Sequence, residues 1–513
     1  MKKLHLLLTL LILSSTTILS QDGALDTTFA NNGIFSTNGN FQYSLLDLSI
    51  DNSNNIYISG NVINSDGTTS VKVIKLLPEG ELDTSFGNAG FATIHYNPWW
   101  YVSKTIILES GKIALVGRIS SNSNDIIVVR LNSDGSIDNS FGNNGRFIFD
   151  SGNGNDQAFT IVEQNSKLII GGVVQPYSEY ALLRLTEDGI LDTTFGNNGL
   201  TAVGFGYREE IRDLIIDDSG NIVTCGHSRN TNNPYWNLDD LTILKFNNNG
   251  FLDSSFGDNG IVVVPGLDNE RAYSIQYFQN SYYVTGQKDF ADTAGSATVI
   301  VKINQNGVLD NSFNNDGKLF IIPIGGDFHG VYHGGYSSII QNDNKLIVGG
   351  SWLYFGNPGL YEIRFNRITS NGVFDPEFGD NGISHFNLDA SEVSNRALSK
   401  QFDNKFLALG LDYDENILLT RHNINQTLST NDVNLDNVDF IVYPNPTEGE
   451  LNINALNENS YKIAIVNSLG KLTNEFTFKS TISRLDLSHL ESGVYFLKIT
   501  SENATSIKKI VVK

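Results

Sequence analysis

The chain has 513 residues, 40% of them hydrophobic, which allows several domains or one large repeat array and excludes wholesale disorder. Lys and Arg total 34 against 56 Asp and Glu, a formal charge of -22; such a surface repels phosphate backbones and excludes nucleic acid as a partner. The single cysteine, Cys225, excludes an intrachain disulfide and a Cys-x-x-Cys site, and reads as a small apolar strand residue.

At the N-terminus Lys2 and Lys3 precede an apolar run over residues 6–13, followed by small polar residues up to Ser20. The run is too short to span a bilayer and fits a signal-peptide core, so residues 1–20 are expected to be removed by cleavage near Ser20 and Gln21. No cysteine follows that would carry a lipid anchor. No later segment is long and apolar enough to cross a membrane, so the mature protein is expected to have no transmembrane segment.

One motif then recurs seven times, Gly-x-Leu-Asp-x-Ser/Thr-Phe with Ile137 and Phe374 at the Leu position and Glu377 at the Ser/Thr position, mostly ending in Gly-x-x-Gly. It begins at Gly23, Gly80, Gly135, Gly189, Gly250, Gly307 and Gly372, at spacings of 57, 55, 54, 61, 57 and 65 residues. So regular a period demands a repeat architecture. Each unit reads as four short strands: in the third, strands are predicted over 158–163, 168–173 and 180–185, with the short strand after the motif exemplified by 147–149 and 261–264. Four short strands make one propeller blade. Within the motif, Gly supplies positive φ, the Asp side chain accepts a hydrogen bond from two residues on, and Leu and Phe pin the turn. Calcium ligation is the alternative for these aspartates, but only one per turn is fixed, and calcium needs several oxygens. No metal or cofactor is expected.

The ends of the array complement each other. The last unit, 397–422, has three strands and no motif, whereas residues 22–37 supply an orphan motif and strand. Pairing the two closes a ring of seven blades and removes two exposed edges. The repeats resemble the delta-60 repeat family, which implies a propeller over residues 21–425 but no shared activity. Ala30 and Asn314 depart from the family, where Gly is expected after Phe.

Residues 426–438 are polar, Asn-rich and aperiodic, a linker. Residues 439–513 hold five to seven alternating strands and read as a small β-sandwich, completing an all-β chain. This stretch resembles the type A C-terminal sorting domain of the type IX secretion system. The match rests on Tyr443, Pro444, Asn445 and Pro446 at its start, Gly470 and Gly493 within, and Lys508, Lys509 and Lys513 at its end. The resemblance implies engagement of that secretion machinery, passage through the periplasm and across the outer membrane, and secretion or display at the cell surface.

No nucleophile elbow, His-Glu-x-x-His or phosphate loop appears. Asp327, His329 and His333 form a possible polar site in a glycine-rich loop, and Glu209-Glu210 and Asp239-Asp240 are possible carboxylate pairs. The loop after each second strand and the loop between blades open on one end of the ring. The aromatics of the variable loops fall there: Trp99, Trp100, Tyr101, Tyr235, Trp236, Trp352 and Tyr354. Flat rings with polar tips suit stacking on sugars or gripping a protein, and the competing role is packing beneath their own loops. The expected function is an extracellular binding module for a glycan or protein. A carbohydrate-active hydrolase or lyase at the channel mouth and a purely structural surface protein are the alternatives.

Overall fold

In the computed structural model, residues 22–424 and 440–513 are described outside short internal segments, among them 97–98, 205–206, 230–237, 265–268, 291–295, 323–334, 354–360, 387–393, 456–460, 468–471 and 501–504. The signal region and the linker lie outside the described residues. The chain divides into two compact units, 1–426 and 427–513. No helix among the described residues is long and apolar enough to cross a membrane.

The first unit contains seven antiparallel four-stranded sheets. Blade 3 is representative, with strands Gln157–Gln164, Lys167–Val174, Glu179–Leu185 and Leu200–Val203. Its second strand is buried along nearly its whole length because a neighbouring blade covers each face. The first strands of the seven blades, Phe41–Ile50, Trp100–Ile107, Gln157–Gln164, Tyr207–Ile216, Asn269–Phe278, Ser337–Ile340 and Ser394–Gln401, contact one another in cyclic order and surround the axis. The ring closes as the orphan strand requires. Ile34–Thr37 is the fourth strand of blade 7, with Ile34 opposite Thr420 and Thr37 opposite Ile417.

The geometry of the motif explains its sequence. In blade 2 the Asp138 carboxylate accepts the Ser140 N–H and hydroxyl on Oδ1, and on Oδ2 meets Lys112 Nζ at 2.9 Å and Arg130 Nε at 2.6 Å. Burial alone would raise its pKa; the Ser140, Lys112 and Arg130 contacts outweigh burial and hold it well below the carboxylate range. A carboxylate so occupied has no room for calcium. Arg130 also lies 4.5 Å from the centre of the motif ring, Phe141, and donates to the Glu187 carbonyl in the next blade. The cation eight residues before the Asp recurs as Lys75, Arg184, Lys302 and Arg367, and as Arg421 for Asp26 across the closure. Lys245 stands at the same offset but pairs with Asp217 at 3.2 Å.

Each motif is also stitched to its neighbour through the backbone. The residue after the motif Phe donates its N–H to the residue before the next motif Gly, from Gly87 to Asp134 and so on round the ring, and the circuit ends with Gly379 to Asp22 and Ala30 to Glu79. Ala30 and Asn314, where the repeat departs from Gly, keep both this bond and a positive φ, of 42° and 48°. At Gly250 (φ +83°) an added Cβ would lie 2.6 Å from the Phe195 ring. Gly250→Ala is therefore expected to cost about 2–4 kcal/mol by urea unfolding, from left-handed strain plus overpacking. Gly111→Ala, at φ +76° with open space around it, should cost only about 1–2 kcal/mol.

A second contact at the seam carries a pH dependence. His422 is buried against Phe406 and Phe365, donates Nδ1–H to the Gly23 carbonyl and accepts the Thr420 hydroxyl at Nε2. Burial lowers its pKa to about 4. A folded value below the unfolded one means that the stability linked to the neutral ring is full above about pH 6.5 and is lost as pH falls towards 4, on the order of 3 kcal/mol. Urea midpoints at pH 7, 5.5 and 4.5 should fall less steeply in His422→Gln than in the parent; parallel slopes would count against the assignment.

The second unit has a three-stranded sheet, with strands Phe440–Tyr443, Glu450–Ala455 and Ile482–Asp486, and a four-stranded sheet that includes Tyr461–Asn467, Gly493–Thr500 and Thr505–Val512. Leu451, Ile453 and Leu485 of the first pack with Ile463, Leu497 and Ile510 of the second in one core. Asn445 accepts the Val511 N–H on Oδ1 at 2.9 Å, so the opening motif and the basic end are adjacent in space.

Candidate functional site around the axis

The aromatic residues singled out in the sequence divide. Trp99 is 49% exposed at the loop end of blade 2. Trp100 is fully buried, its ring 5.8 Å from Tyr96 in the core between blades 1 and 2. The expectation that Trp100 offers a stacking face is thereby corrected: it enters the first strand of its blade, where successive side chains take opposite directions, and its ring is turned into the sheet stack. Tyr101 is half-buried beneath the Arg118 guanidinium, 5.0 Å from its ring centre. The backbone of Trp352 pairs with Glu362 at the loop end of blade 6. Its side chain, together with Tyr235, Trp236, Tyr354, Asp327, His329 and His333, lies outside the described residues, as do Pro444 and Gly470.

A different set gathers at the axis. In five of the seven first strands the cross-strand register skips one residue: Ser103, Phe159, Arg212, Tyr273 and Arg396. Such a bulge re-aims a side chain, and bulges are common beside functional sites. Tyr336, just before the first strand of blade 6, takes the equivalent place. From blade 3 to blade 7 these side chains are planar, and two neighbouring pairs of them are in contact. The Arg212 guanidinium lies 4.3 Å from the Phe159 ring centre, and Tyr273 and Tyr336 stand 4.9 Å apart. Burial and the neighbouring Tyr273 push the Tyr336 hydroxyl up to about 12.

Charged groups brace this band. Arg212 Nη2 is 2.5 Å from Glu210 Oε2, and Arg271 Nε is 2.7 Å from Asp239 Oδ2, whose other oxygen meets Arg229 Nε at 3.3 Å. The Tyr336 hydroxyl donates to Gln287. His227 is 2% exposed; burial and then the Arg212 charge lower its pKa to about 3, so it stays neutral. Among the described residues, Arg212 Nε and His227 Nδ1 have no hydrogen-bond partner.

One residue further along, polar groups around the axis join the blades. Asp47 accepts the Thr105 N–H and pairs with Lys104 at 3.2 Å, Asp213 accepts the Ile275 N–H, and Ser337 accepts the Leu398 N–H. The Asp47 carboxylate raises the Lys104 pKa, and burial raises that of Asp213.

Separately, Asp125, Asp150 and Asp156 place one carboxylate oxygen each within 4.8 Å of one another. They are the described residues best arranged to hold a cation, although Asp156 already accepts from Ser151 and Gln175, Asp150 from Gly152, and Asp125 from Ser123. Sequence reasoning missed both this cluster and the axial band. The one signal for the band was an Arg or aromatic residue interrupting the alternation of a first strand.

Residues 441–513 match the family described as a secretion system C-terminal sorting domain. Residues 52–86, 109–141 and 163–195 match a β-propeller family described as a domain of unknown function, DUF5122. No curated protein matches the sequence. Among solved structures, PorZ, a surface component of the type IX secretion system of Porphyromonas gingivalis, aligns at 10% identity over 91% of this chain and 70% of its own, with a TM-score of 0.32. The β-propeller domain of the Trilobed protease from Pyrococcus furiosus aligns at 12% over 73% and 91%, TM-score 0.37. An ulvan lyase of polysaccharide lyase family PL25 aligns at 11% over 78% and 96%, TM-score 0.44. At these values the likenesses bear on neither activity nor ligand.

Proposed function

We propose that this chain, a β-propeller of tandem repeats that its type IX secretion sorting domain takes across the outer membrane to the surface or exterior, is an extracellular binding module whose ligand seats at the loop end of the axis. The observation that carries the reading is the series of planar side chains at equivalent places in successive blades, Phe159, Arg212, Tyr273, Tyr336 and Arg396. Rings and guanidinium planes side by side offer flat apolar contact with polar edges, the composition of binding hot spots for sugars and protein loops. Trp99 is assigned to the rim, with Tyr101, Tyr235, Trp236, Trp352 and Tyr354 as further rim candidates; Asp327, His329 and His333 are kept as a candidate polar site. Binding is preferred to catalysis because the one neutral imidazole of the cluster, His227, is 2% exposed and the Glu210 carboxylate is engaged by Arg212.

The test is a glycan array probed with the mature chain and with Trp99→Ala and Tyr336→Ala. Loss of a stacking ring at a hot spot should weaken binding about tenfold or more in Tyr336→Ala, and less in Trp99→Ala at the rim. Full binding by both variants would remove the axis as the site.

A further inference from the structure

Resting on that reading of the axis, we infer that the ligand is an acidic saccharide, bound through its carboxylate or sulfate groups by guanidinium forks. The observation is the placement of arginine. In a chain of charge -22, four propeller arginines, Arg130, Arg184, Arg367 and Arg421, are consumed in the motif contacts at one end of the blades. At the other end, on the first and second strands, stand Arg118, Arg208, Arg212, Arg229, Arg271 and Arg396. A surface this acidic repels an anionic polymer unless cations are gathered where it is to land. Guanidinium rather than ammonium is the group gathered, and its planar fork fits carboxylate and sulfate oxygens two at a time.

Three details fit a ligand role better than a structural one. Arg212 keeps its buried Nε–H without an acceptor among the described residues, while its plane is held against Phe159 and its tip against Glu210. Two of the carboxylates nearby are engaged by guanidinium groups, Glu210 by Arg212 and Asp239 by Arg229 and Arg271, and set those forks in place, while Glu270 is taken by Lys288. Arg208 is exposed and sits at φ +61°, a left-handed backbone that a long side chain adopts only at a cost. Strain of that kind, kept at the mouth of a channel, is a mark of a functional position. Beside the forks, Tyr273 and Tyr336 supply the flat surface on which a sugar ring rests.

The experiment is calorimetric titration of the mature chain with three polymers: polygalacturonate, which carries carboxylates, dextran sulfate, which carries sulfates, and neutral dextran. The parent, Arg212→Gln, Arg208→Gln and Tyr336→Ala are compared, with melting curves to verify that each variant is folded. One or both anionic polymers should bind, dextran should not, and affinity should fall with added salt. Arg212→Gln should lose about tenfold or more while still melting cooperatively, at a somewhat lower temperature, and Tyr336→Ala should lose binding as well. Which anionic polymer binds decides between carboxylate and sulfate. Dextran bound as tightly as the anionic polymers, and lost in Tyr336→Ala, would overturn the acidic class and leave the axial site standing. Anionic binding unchanged in all three variants would overturn both. No binding by either anionic polymer would overturn the acidic class, and the array then decides the axial site by itself.

Discussion

Deleting residues 22–37 is expected to destabilise the first unit by on the order of 10 kcal/mol and to abolish its single cooperative melt. The deletion removes Phe29, fully buried in the core of blades 7 and 1, at about 3–5 kcal/mol for such a ring. It also strips Arg421 of the Asp26 carboxylate, which for a buried charge costs about 3–5 kcal/mol more. The ladder from Ile34 to Thr37 is lost too, leaving Ile417–Asn423 as an unpaired edge that invites association. Calorimetry and light scattering would report the change, and a peptide of residues 22–37 added in excess should restore the melt. A truncated chain that melts like the parent and stays monodisperse would show that closure contributes little.

The second large effect should come from Arg421→Ala alone. Arg421 is 2% exposed and makes five contacts: Nε to Asp26 at 2.7 Å, Nη2 to Glu79 at 2.7 Å and to Thr28 Oγ1 at 3.4 Å, Nη1 to the Pro78 carbonyl at 2.9 Å, and its plane 4.8 Å from the Phe29 ring centre. Removing it leaves Asp26, 4% exposed, with Lys405 as its remaining ion-pair partner. The expected cost is about 3–5 kcal/mol by denaturant unfolding of the first unit. The ion pair of Arg484 with Glu450 is the control, since both side chains are more than 60% exposed and Arg484→Ala should cost below about 1 kcal/mol. Burial raises the Asp26 pKa, and Lys405, Thr28 and Arg421 more than offset it, to about 2. Because the folded value lies below the unfolded one, the contribution of this carboxylate is present above about pH 4 and is lost as pH falls through 2.

The ring, its closure and the sorting domain were legible because each rests on local chemistry that repeats or on a long specific match. Gly, Asp and Phe recur at fixed offsets since each contacts the next turn, and that necessity is written seven times. The strands predicted over 158–163, 168–173 and 180–185 agree with those observed to within a residue or two at each end. The cation eight residues before each Asp was equally periodic, but it lies on a strand outside the turn and its partner is apparent only once the turn folds back. The site was far less legible. A bulge is a property of two paired strands, so nothing local in Arg212 or Tyr273 announces that each is the residue skipped. Attention went to tryptophans in long loops, and Trp100 is a case where one step along the chain changes an exposed ring into a core ring.

The stitches between neighbouring turns all lie at one end of the ring, and the loops that differ most in length between units lie at the other. A loop can therefore be lengthened, shortened or exchanged without touching a residue that holds the blades together. The spread of unit lengths from 54 to 65 residues is what such tolerance leaves behind. The scaffold works like a rack of seven cartridges, each of which can take new loops while the remaining six, and the frame, carry on unchanged.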